Sequence, residues 1–124
     1  MAKVNSFRDL IVWQKAMALS KDVYLATKSF PREEIYGITS QLRRASVSVA
    51  ANIAEGQARS TTGEFVQFLG ISRGSVAELE TLITLSKELG FISEIDSRNL
   101  TSTCEGISKL IVALRRALLA KNAQ

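Results

Sequence analysis

The 124 residues, 46% of them apolar, suffice for one sizeable core, so residues 1–124 read as a single domain. Histidine is absent and Cys104 is the one cysteine, which excludes Ser-His-Asp and Cys-His nucleophiles, Cys/His zinc sites, disulfides and the Glu-x-x-His di-iron arrangement. The net charge of +4 is unevenly spread: residues 1–32 carry +4, 33–60 zero, 61–92 −2 and 93–124 +2, so both chain ends are basic, which suits either a polyanionic partner or a solvated surface.

The longest uncharged stretch, Ala45 to Ala54, is half the roughly 20 apolar residues that a membrane span requires. Met1, Ala2 and Lys3 lead into polar residues rather than into an apolar secretory core. A cytoplasmic protein without membrane contact is the expectation.

No run alternates apolar and polar residues as a strand does, and four helices fit the pattern. The first is expected from Phe7 to Ser29, opened by a Ser6/Asp9 capping box and stopped by Pro31. Its core stripe reads Leu10, Trp13, Met17 and Tyr24, with Val12, Ala16, Leu19 and Val23 beside it. The second runs from Ile38 to Ala58 and carries Ile38, Leu42, Ala45, Val49, Ile53 and Gly56 at spacings of three and four. A Thr61/Glu64 capping box opens the third, whose stripe is Phe65, Phe68, Leu69, Ser72, Val76, Leu79, Ile83 and Ser86, and Gly90 stops it. Ser93 with Asp96 caps the fourth, which buries Leu100, Cys104, Ile107, Leu110, Ile111, Leu114 and Leu118. Short loops make sequential helices antiparallel neighbours, so the expected fold is an all-α, up-down-up-down four-helix bundle.

Several helices show a second apolar face. Ile11, Ala18 and Leu25 lie opposite Trp13 on the first helix, and Val47, Ala50, Ala51, Ala54 and Ala58 form a small-residue face on the second. These are either scattered exposed residues or a subunit interface, and the interface reading predicts a homo-oligomer. Between the two apolar faces of the second helix runs a polar stripe of Gln41, Arg44, Ser48, Asn52, Glu55 and Arg59. Flanked so, it is expected to be partly buried and to join Glu78 of the third helix in a structural hydrogen-bonded network, with a polar ligand site as the other reading. Gly70 and Gly74, unfavourable inside a helix, are expected to let the Ala/Ser-rich second helix approach closely.

Glu55 and Glu78 have the chemistry of an acid/base pair, but no pocket, metal set or nucleophile accompanies them, so no enzyme, cofactor or metal site is expected. Cys104 reads as a small core hydrophobe. On the fourth helix Arg98, Lys109 and Arg116 fall on one face, with Glu105 at its edge, and Arg8 and Lys15 share a side of the first. These five residues are the candidate contacts to RNA or DNA; the alternative is a solvated outer face.

The segments Phe7-Arg-Asp-Leu-Ile-Val-Trp-Gln14, Phe30-Pro-Arg-Glu-Glu-Ile-Tyr-Gly37, Gln41-Leu-Arg-Arg-Ala45, Ser48-Val-Ala-Ala-Asn-Ile-Ala-Glu-Gly56 and Gly74-Ser-Val-Ala-Glu-Leu-Glu80 resemble a family of four-helix bundles first noticed as open reading frames in intervening sequences of bacterial 23S ribosomal RNA genes. The family is in turn similar to the accessory proteins of diversity-generating retroelements. The resemblance implies a ring-like homopentamer without catalytic residues, and a non-enzymatic module that binds RNA or a ribonucleoprotein partner. A purely structural, protein-binding scaffold is the alternative. In many relatives a proline stands where this chain has Ala50, so the second helix is expected to run straighter here.

Overall fold

The computed structural model describes residues 6–122, among which there are four α-helices and no strand. Helix α1 spans Ile11–Thr27, α2 Ile38–Gln57, α3 Thr62–Glu88 and α4 Glu94–Asn122. Each packs beside its sequence neighbours, and α4 returns to α1, so the helices stand at the corners of a square in chain order. Ser20 meets Ser46 while Thr27 meets Arg43, and Ser75 meets Ser48 while Ser72 meets Val49, so the numbering runs in opposite senses and α2 is antiparallel to both α1 and α3. The expected up-down-up-down bundle is therefore the fold observed.

The first helix starts later than the capping-box reading predicts. Ser6 Oγ accepts from the Arg8 amide, not from that of Asp9, and Phe7–Asp9 closes as a separate 3-10 turn. Leu10 is extended (φ −77°, ψ 123°) and separates that turn from α1. The Gln14 side chain donates to Arg8 O (2.8 Å) and Trp13 meets Phe7 edge-on at 5.2 Å, so local contacts hold the turn against the helix. The helix also ends at Thr27, earlier than Ser29.

The other boundaries follow from their caps. Thr61 Oγ1 accepts from the Glu64 amide and donates to the Glu64 carboxylate, which opens α3 as expected. Gly90 adopts φ +77°, and bonds from Gly90 N to Lys87 O and from Phe91 N to Ser86 O close α3 with a left-handed turn. Ser93 Oγ accepts from the Asp96 amide at the head of α4. Helix α2 runs unbroken through Ala50.

The core is built from Leu19, Val23, Val49, Ile53, Leu69, Val76, Leu79, Ile83, Ile107 and Ile111, all fully buried. On α1 the buried stripe is Val12, Ala16, Leu19, Val23 and Thr27; Leu10 and Trp13 are only partly covered, while Met17 and Tyr24 are 48% and 43% exposed. The expected Leu10/Trp13/Met17/Tyr24 stripe is thus a flank rather than the core. Both stripes satisfy helical spacing, and the square arrangement selects the one directed at the opposite corner. Ala50, assigned to the second face of α2, is buried.

Glycine positions on α2 and α3 also invert an expectation. A Cβ at Gly56 would lie 2.7 Å from Phe68 Cβ and 3.1 Å from a Phe65 ring carbon, so Gly56 is where the two helices touch most closely. At Gly74 an added Cβ would meet nothing within 4 Å, and at Gly70 it would meet only the Arg115 guanidinium, at 3.6 Å. These two glycines therefore face α4 and open space, not α2. Gly56→Ala is expected to destabilise the protein by about 1 to 3 kcal/mol through overpacking, whereas Gly74→Ala should stabilise it by up to about 1 kcal/mol through helix propensity. Urea unfolding midpoints of the two variants check both signs.

Candidate functional site

The polar stripe of α2 faces the outer seam with α3 and divides into two parts. In the middle, Asn52 Nδ2 donates to Ser48 O (2.8 Å) and Ser48 Oγ (3.0 Å), Ser48 and Ser75 hydroxyls lie 2.9 Å apart, and Ser75 donates to Ile71 O. The donors form one chain, from Asn52 through Ser48 and Ser75 to a backbone carbonyl. This part is half-buried and structural.

The ends of the stripe are solvated in the subunit. Glu55 and Arg59 pair at 2.9 Å, yet their side chains are 53% and 42% exposed, so the expected buried pair is a surface pair. Arg59 also stacks over the Phe68 ring and reaches Glu64 at 3.9 Å. Gln41, Arg44 and Glu78 are exposed. The α2/α3 register places Arg44 opposite Glu78, but no ion pair joins them among the described residues. Glu78 lies about 15 Å along the α3 axis from the level of Glu55, ten residues at 1.5 Å each, so the two carboxylates do not form an acid/base pair. A surface pair contributes little, and Glu55→Ala is expected to cost less than about 1 kcal/mol in a thermal or urea melt.

The five candidate nucleic-acid contacts are all exposed, and the fold separates them. The bundle has one end formed by the start of α1, the end of α2, the start of α3 and the end of α4. Residues 6–18, 48–75 and 107–122 make up that half, and in it stand Arg8, Lys15, Arg59, Arg73, Lys109, Arg115, Arg116 and Lys121 against Asp9, Glu55 and Glu64. The other half, residues 19–47 and 76–106, holds seven basic residues against nine acidic ones. The antiparallel fold therefore divides the net +3 of residues 6–122 into a polarised surface, +5 in one half and −2 in the other.

Four of the five expected residues, Arg8, Lys15, Lys109 and Arg116, belong to the basic half. Arg98 does not: it lies in the acidic half and its guanidinium approaches Glu94 at 3.5 Å. The helical angle alone grouped it with Lys109 and Arg116, but it sits about 16 Å along α4 from Lys109, eleven residues away. The basic half also holds Arg73 and Arg115, which the helix faces had not singled out. Arg115 is partly buried on the flank toward α3, where its Nε donates to Val66 O (3.2 Å). Together with Arg73 it lines a groove of about 490 Å³ between α3 and α4, over Gly70, Gly74 and Ala77.

Below that groove Glu80 is half-buried against α4. Burial, and then the charge of Glu105, push its carboxyl above the usual range. Burial, followed by the same two carboxylates, pushes the Cys104 thiol up to about 12, so Cys104 is an inert core residue. The folded chain holds the Glu80 proton more tightly than the unfolded one, so ionisation at neutral pH opposes folding. Glu80→Gln should therefore raise the unfolding midpoint at about pH 7 and leave it unchanged well below the ordinary carboxylate value, where both states are protonated.

Among known proteins, the family model described as "23S rRNA-intervening sequence protein" matches residues 8–113. No curated protein matches the chain. A crystal structure from Bacteroides thetaiotaomicron, described as a protein of unknown function from the S23 ribosomal protein family, superposes with a TM-score of 0.80. It is 20% identical, over 86% of this chain and 96% of that one, and shows the same fold.

Proposed function

We propose that the chain, which belongs to the 23S rRNA-intervening sequence protein family, is a non-enzymatic, self-associating module that binds RNA or DNA through the basic end of its bundle. The observation that carries this reading is the segregation of charge. Eight basic residues from the Phe7–Asp9 turn, α1, the α2–α3 turn, α3 and α4 share one half of the bundle, while the ion pairs of Lys87 and Arg98 with Glu94 lie at the far end. Polyanions are held chiefly by such phosphate contacts, with little need of a closed pocket.

Self-association rests on a second observation. On the α1/α2 flank Met17, Tyr24 and Val47 are each more than 40% exposed, and Ala51 and Ala58 are exposed beside them. Exposed apolar side chains gathered on one flank in this way mark an interaction surface. A second copy is the occupant proposed, in a ring for which the family resemblance suggests five subunits.

Light scattering should give a multiple of the 13.6 kDa subunit, and Met17→Glu/Val47→Glu should reduce it to that mass while retaining helical circular dichroism. A monomer mass for the parent protein at micromolar concentration would overturn self-association. Protein purified without nuclease should carry absorbance at 260 nm, and binding to an oligonucleotide should fade between about 50 and 200 mM salt. Absence of binding at the lower salt would leave the protein-binding scaffold as the function.

A further inference from the structure

We infer that the groove between α3 and α4, walled by Arg73 and Arg115, is the track that holds a phosphodiester backbone of the bound nucleic acid. The inference rests on the nucleic-acid reading above and assigns it a place that the outer stripe of α4 does not include.

Arg115 is set in position before any ligand arrives. One of its five N–H donors is committed to Val66 O and its guanidinium lies over Gly70, 3.6 Å from where a Cβ would stand, so four donors remain on a guanidinium that lines the groove. Neither Arg115 nor Arg73 has a carboxylate within ion-pair distance among the described residues. Guanidinium groups match phosphate oxygens in two-point contacts, and a fixed guanidinium loses less freedom on binding. Ser108 adds a hydroxyl on the α4 side.

The floor of the groove is backbone and small side chains. Nothing in the subunit occupies the space above Gly74, which leaves room for a bulky phosphate close to the helix. A protein partner would require an apolar anchor, but Val76 beneath is fully buried and Ala77 offers one methyl. Lys109 and Arg116 lie exposed on α4 beside the groove and continue its charge, and Glu80 bounds it toward the acidic half. The α3/α4 flank is opposite the α1/α2 flank across the square, so a copy seated on the apolar face does not itself cover the groove.

The test measures anisotropy of a fluorescein-labelled oligouridylate against salt, starting at about 50 mM, with light scattering of each variant. Arg73→Gln/Arg115→Gln should weaken binding about tenfold and lower the salt slope by about 0.7 for each arginine lost. Gly74→Leu puts an apolar side chain into the groove without removing a charge, at a position where a Cβ meets nothing within 4 Å, and should weaken binding comparably at unchanged oligomer mass. Arg8→Gln/Lys15→Gln/Arg98→Gln removes three charges outside the groove and should weaken it less. If the outer triple variant loses binding while the groove variants retain it, the groove is overturned and the nucleic-acid reading stands. A fall in oligomer mass on Gly74→Leu would make the groove a contact between copies, which also overturns the inference. No binding by the parent protein overturns both.

Discussion

The seam between α2 and α3 is the constraint on which the rest of the molecule depends. Gly56 lets the Phe65 and Phe68 turn of α3 come to contact, and two hydroxyl links further along, Ser72 to Val49 O and Ser48 to Ser75, allow only one register. Apolar packing tolerates sliding by small amounts, whereas a buried hydroxyl moved by one residue loses its partner at a cost of about 1 to 3 kcal/mol. The Ser20–Ser46 pair repeats the device between α1 and α2 at lower burial. With α2 locked to both neighbours, α4 is left to close the square, and its Ile107 and Ile111 complete the core.

The register also decides the electrostatics. Lysines and arginines far apart in the chain, such as Arg8, Arg73 and Arg115, meet at one end because each helix reverses the direction of the last. Were the α3/α4 pair to run parallel, the basic tail of α4 would stand against Glu78, Glu80 and Glu88 and the polarity would vanish. Net charge is therefore a weak guide to this surface.

The helix count, the α3 and α4 caps, the stop at Gly90 and most core positions of α2, α3 and α4 were legible because periodicity and cap chemistry are local. The Phe7–Asp9 turn was not: Ser6 could cap a helix or a 3-10 turn, and the choice rests on Gln14 and Trp13 contacts that no spacing rule includes. The two apolar stripes of α1 were likewise equivalent until neighbours on both sides were in place. Gly70 and Gly74 signalled an unusual α3 face, but only the structure shows that this face meets Arg115 instead of α2. All five basic candidates were readable as exposed charges. That Arg98 stands in the other half was not legible because helical angle ignores height along the axis, and grouping Arg73 and Arg115 with the rest required knowing which ends come together.

Charge and assembly depend on each other. At about 0.1 M salt the screening length is roughly 10 Å, so one subunit's basic end acts only on phosphates close to it. A single bundle then offers a few contacts of modest strength. In the assembly proposed above, copies joined through the α1/α2 flank would repeat those contacts along one strand, and a strand held at one subunit would meet the next at high effective concentration. On the function proposed above, repetition would add to what a +5 half-bundle offers, which would make the exposed apolar flank and the basic end two parts of one arrangement.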